Sequence, residues 1–187
     1  MTISLAITTG LKMAVSAAAL LLAMVAQAAG PQTGPVIQDY GPVFDAPADA
    51  YNLRADQYHK VSMDVSTTGD FPEDRNRSLE SAARFLNMHA RNGIDPKQIE
   101  FAIIVHGGAS KDLLSDKAYR QRFDELNPNT ALLKALSGAG VTIYLCSQSA
   151  AFKGYGYDEF NPAVTIALSA MTAHVRLQQE GYTLIPF

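Results

Sequence analysis

A chain of 187 residues with 48% apolar and 18% charged side chains has the composition of one globular domain and is too apolar to stay disordered as a whole. The 15 Lys+Arg against 18 Asp+Glu leave a formal charge of -3, which lacks the basic excess that drives binding to a phosphate backbone and makes nucleic acid an unexpected partner. The single cysteine, Cys146, excludes an intramolecular disulfide framework and a zinc centre of several thiolates.

Residues 1–28 differ from the rest. Lys12 is their one charged side chain, Met13 to Val25 is an apolar run, and Ala26-Gln27-Ala28 is the small-x-small pattern of a cleavage site. The run is shorter than the ~20 residues that span a bilayer, so the segment reads as a signal peptide, with an uncleaved anchor as the other reading. Cleavage after Ala28 is expected to release a periplasmic or secreted protein with no membrane segment. Residues 29–56 carry Pro31, Pro35, Pro42 and Pro47 with Gly34 and Gly41 and no sustained periodicity, the texture of a wrapping arm. The domain proper is expected over 57–187.

Within it, His59 to Ser66 alternates apolar and polar residues as a strand does. Leu79, Ala82, Ala83, Leu86 and Ala90 share one helical face, following a cap at Asn76 or Ser78 and ending at Gly93. Ile99 to His106 contains Phe101-Ala102-Ile103-Ile104-Val105, a run suited to a central strand. A short helix is expected over Tyr119 to Leu126, and a second, capped by Asn129 or Thr130, runs to Gly138. Val141 to Cys146 is a β-branched and aromatic strand. Val164, Ile166 and Leu168 alternate as a fourth strand, although 163–181 also fits one helix; Met171 to Glu180 reads as a helix and Thr183 to Phe187 as a last strand. This alternation predicts an α/β fold, a three-layer α/β/α sandwich on a mainly parallel, about five-stranded sheet.

Ligand crevices in such sheets form at the carboxyl ends of the strands. Two of these ends carry unusual residues. Val105-His106-Gly107-Gly108-Ala109 has paired glycines that let backbone amides approach a ligand. Leu145-Cys146-Ser147-Gln148-Ser149-Ala150 places the one thiol at a strand end before a helix, where a thiolate, the nucleophilic form, is favoured. A buried, inert cysteine is the competing reading. His106 could exchange protons beside Cys146 if the two strands are neighbours, whereas His59, His89 and His174 have no metal spacing and read as structural or solvated; no metal and no cofactor are expected. There is no Gly-x-Ser-x-Gly turn, no second cysteine to resolve a disulfide, no arginine in an anion loop after the thiol, and no Gly-x-Gly-x-x-Gly or Walker pattern. Receiving and handing on a sulfur atom or a thiol adduct is the chemistry left for one activated thiol.

Ala83-Arg84-Phe85-Leu86-Asn87, Val105 to Ala109, Asn127-Pro128-Asn129, Leu145 to Ser149, Ala167 to Met171 and the closing Gly181 to Phe187 together resemble the exported DsrE/DsrF-like (YchN-type) proteins. The resemblance runs from about Tyr58 to the end. It implies a YchN-like fold, assembly as trimers or hexamers, and a sulfur-relay role, known in cytoplasmic members, with a sulfur donor or acceptor protein as partner. Cys146 matches the relay cysteine, with His106, Gly107, Gly108, Asn127, Ser147 and Gln148 around it. The exported branch generally has Cys-Gly-Gln-Ser, and here Ser147 replaces the glycine.

Overall fold

The computed structural model describes residues 30–186; the expected signal peptide and its cleavage point lie outside them. Five strands, β1 (His59–Val65), β2 (Ile99–Val105), β3 (Thr142–Cys146), β4 (Val164–Ala167) and β5 (Thr183–Ile185), form one sheet in the order β4-β3-β2-β1-β5. All four pairings are parallel, with Val65 opposite Val105 and Val105 opposite Leu145. The helices are α1 (Arg77–Arg91), α2 (Asp116–Phe123), α3 (Thr130–Gly138), α4 (Ser147–Phe152) and α5 (Ala170–Gln179). None of the described helices is long and apolar enough to cross a membrane.

The period-two alternation divides the core between the two faces of the sheet. Val61, Met63, Val65, Phe101, Ile103, Val105, Ile143 and Leu145 pack with Leu79, Ala82, Ala83 and Leu86 of α1 and Leu132, Leu133 and Leu136 of α3. Burying each of these leucines contributes about 1.5–3 kcal/mol, so this is the thicker and more stabilising layer. On the other face Ala102, Ile104 and Cys146 pack with Ala170, Ala173 and Leu177 of α5. The thiol therefore sits under the thinner layer, covered by a single helix.

Capping residues set the helix boundaries. The Asn76 side chain accepts the amides of Ser78 and Leu79 and starts α1. The expected helix over Tyr119 to Leu126 begins three residues earlier, because Ser115 Oγ accepts the Ala118 amide at 3.3 Å, and it stops at Phe123, where Asp124 turns left-handed at φ 59°. β1 ends at Val65 rather than Ser66, whose carbonyl is taken by the Ala109 amide at 3.1 Å. The one-helix reading of 163–181 gives way to β4 and α5, separated by the cap Ser169, whose hydroxyl accepts the Thr172 amide at 2.9 Å.

Residues 32–43 fold back onto α1. Ile37 and Val43 are buried, and Gly41 approaches so closely that a Cβ there would lie 2.2 Å from the Arg84 nitrogen, at a backbone φ of +65°. Only glycine fits such a position without displacing the helix.

Candidate functional site

The register that sets Val105 opposite Leu145 makes His106 and Cys146 the next residues of two adjacent strands, which run about 4.8 Å apart. Cys146 closes β3 and is only 5% exposed. Apolar groups of α5 and β2 flank the sulfur, yet the polar groups aimed at it decide its chemistry. Burial is the largest single influence and pushes the thiol up, but the Ser149 hydroxyl and the backbone N–H groups of Ser149, Ala170 and Gln148 together hold it below the ordinary thiol range. Two of these amides open α4 and one opens α5, so both helix starts converge on one sulfur.

Ser149 was not among the expected site residues. Its Oγ accepts the Gly107 amide at 3.0 Å, which leaves its own proton to donate to the sulfur. Gly107 has a φ of +56°, and this turn aims the amide across from the end of β2 to the start of α4. Ser149→Ala removes one hydrogen bond to a developing charge, so alkylation of Cys146 at neutral pH is expected to slow about tenfold. Ser149→Thr, which keeps the hydroxyl, should restore the rate, and iodoacetamide kinetics measure both.

Gly107, Gly108 and Gln148 share a shallow depression of about 320 Å³ with Ser149, Phe152 and Lys153. Three of the expected residues are thus brought together on one depression, whose lining does not include Cys146. Ser147 turns away, donating from Oγ to the Leu168 carbonyl at 2.7 Å, so its side chain ties the start of α4 to the β4–α5 link. Asn127 is also elsewhere: its amide donates to the carbonyls of Asp112 and Leu114 at 2.9 and 2.6 Å, inside a buried polar knot with Asn129. It orients the segment before α3 and does not line the depression.

His106 Nε2 lies 3.1 Å from both carboxylate oxygens of Asp64. His174, read from the sequence as structural or solvated, reaches the same carboxylate from α5, Nε2 to Oδ1 at 2.7 Å. Burial pushes the Asp64 carboxyl up, but the hydrogen bonds and charges of His174 and His106 outweigh it and hold the group below the usual carboxylate range.

The family model for the DsrE/DsrF-like family matches residues 60–187. The chain belongs to the DsrE/DsrF-like family. Its fold is similar to that of a protein of unknown function, MTH1491, from Methanobacterium thermoautotrophicum, with a TM-score of 0.52 at 19% identity over 69% of this chain and 99% of that one. It is also similar to the ychN protein from E. coli, with a TM-score of 0.50 at 14% identity and the same coverage. No curated protein matches the chain. At these identities the two structures establish the fold of this DsrE-like chain, and its chemistry rests on its own residues.

Proposed function

We propose that this DsrE-like protein is an exported sulfur carrier in which Cys146 takes up a sulfane sulfur as a persulfide and passes it to an acceptor thiol. The observation that carries the reading is the set of donors on the sulfur, one hydroxyl and three backbone amides, which favours the thiolate despite burial. A thiol serving only as a small core residue has no need of them. The depression formed by Gly107, Gly108, Gln148, Ser149, Phe152 and Lys153 meets the thiol through Ser149, whose hydroxyl bonds the sulfur. Export accords with the signal-like residues 1–28, and the mature protein would then act in the periplasm or outside the cell. Assembly into trimers or hexamers accords with the exposed Leu168, Met171 and Val175 on and before α5, since adjoining apolar side chains left in water favour association.

The 5% exposure of Cys146 favours a second reading, a noncatalytic ligand-binding or assembly module with a structural cysteine. Intact-mass analysis of protein purified from the exporting compartment separates the two. The carrier gives a reductant-labile adduct of one or more sulfur atoms. A thiol that is unmodified and inert to alkylation in the native state establishes the module and overturns the carrier.

A further inference from the structure

Three titratable side chains from three elements meet on the α5 side of the sheet's carboxyl end: Asp64 from β1, His106 after β2 and His174 from α5. An ionised carboxylate can only accept, so the Nε2 atom of each imidazole that faces Asp64 carries a proton. Nδ1 is then the free nitrogen of each neutral ring. That of His174 is buried and without a partner. The His106 side chain is 32% exposed, and the described residues make no hydrogen bond to its Nδ1. Of the two rings, His106 alone stands beside the thiol strand with a nitrogen open to an incoming group.

We propose that Asp64 and His174 are positioning residues that hold His106 in one tautomer, so that its Nδ1 handles the proton at the thiol site. The last step of this inference rests on the carrier reading. The Cys146 thiolate attacks the outer sulfur of a persulfide R–S–SH; the new Sγ–S bond forms as the old S–S bond breaks, and R–S⁻ departs with the electron pair. The outer sulfur keeps its hydrogen, giving Cys146–S–SH. His106, neutral at rest and 32% exposed, takes a proton from solvent at Nδ1 and gives it to R–S⁻, releasing R–SH and returning to the neutral ring, with Nε2–H still on Asp64. The sulfane sulfur moves unchanged in oxidation state, so no outside oxidant or reductant is required. Asp64 orients the ring by accepting its Nε2–H. His174 occupies Oδ1 from the helix whose first amide faces the thiol, so one helix fixes the carboxylate and the sulfur together.

Two measurements on the full chain test this. Imidazole nitrogen NMR above neutral pH should show both rings protonated at Nε2, and Asp64→Asn should leave His106 a mixture of tautomers. Single-turnover loading of Cys146 from a small-molecule persulfide should slow about tenfold or more in Asp64→Asn. His174→Gln should slow it in the same direction but less, while iodoacetamide alkylation, which releases no thiolate needing a proton, stays at the wild-type rate in both. The assignment is overturned by an Nδ1–H tautomer of His106 in the wild type, by unchanged loading in Asp64→Asn, or by loading and alkylation falling together, which is the mark of a merely structural role. A wild-type chain that takes up no sulfur ends the carrier reading and the proton-delivery step with it, while the tautomer result still decides whether Asp64 positions the ring.

Discussion

Cys146→Ser is expected to abolish sulfur loading and alkylation completely while leaving the fold in place. The hydroxyl is close in size to the thiol and can accept the amides of Ser149, Ala170 and Gln148 that now face the sulfur, so the packing with Ala102, Ile104, Ala173 and Leu177 changes little. Chemistry changes entirely, because a serine hydroxyl is far less acidic than a thiol, is not ionised at neutral pH, and cannot carry sulfane sulfur as a persulfide. The chain has no other thiol to substitute. Intact mass after exposure to a persulfide donor should show an adduct on the wild type and none on the variant; an adduct on both would place the reaction elsewhere. Stability carries a matching sign. A thiol held below its unfolded value stabilises the fold fully above the unfolded range, about pH 8.5, and this contribution is lost as pH falls through the folded value. The wild type should therefore gain on Cys146→Ser as pH rises.

The largest effect on stability is expected from Asn87→Ala. Asn87 is fully buried on α1, and its side chain is the main fastening of the arm. Its Oδ1 accepts the amides of Val36 and Ile37 at 3.1 and 2.9 Å, and its Nδ2 lies within reach of the carbonyls of Ile37, Tyr40 and Gly41 at 3.0, 2.9 and 3.2 Å. Alanine strands two amides and three carbonyls under Ile37 and Val43. The expected loss is about 3 kcal/mol, limited by the option of releasing the arm to water. Thermal unfolding should drop by roughly 10 °C, and limited proteolysis should cut within residues 32–57 in the folded variant. Wild-type resistance in that segment would contradict the account.

The sheet and the long helices were legible because each carries a period that one local stretch can display. Phe101 to Val105 reads as a buried strand, and Leu79, Ala82, Ala83 and Leu86 as a helix face, without knowledge of any partner. Cys146 was legible as a strand-end thiol for the same reason. What it binds was not. Ser149 follows it by three residues, the spacing at which a first-turn amide and hydroxyl return to a cap, and that spacing was the available signal. Asp64 looked like the solvent face of an alternating strand, and His174 like one polar residue in a helix. Their roles arise from contacts 42 and 110 residues apart in the chain. Asn127 was drawn toward the thiol loop by its motif, whereas its amide serves carbonyls 13 and 15 residues before it.

The central claim is that the Cys146 sulfur is an ionisable thiol favoured as thiolate in the folded protein. It is tested most directly by the pH dependence of its iodoacetamide alkylation in the native state. The account expects the rate to rise with an inflection clearly below that of a free cysteine, about 8.5, and expects the inflection to move up in Ser149→Ala. An inflection at or above the free value, or no reaction until the protein unfolds, would contradict it.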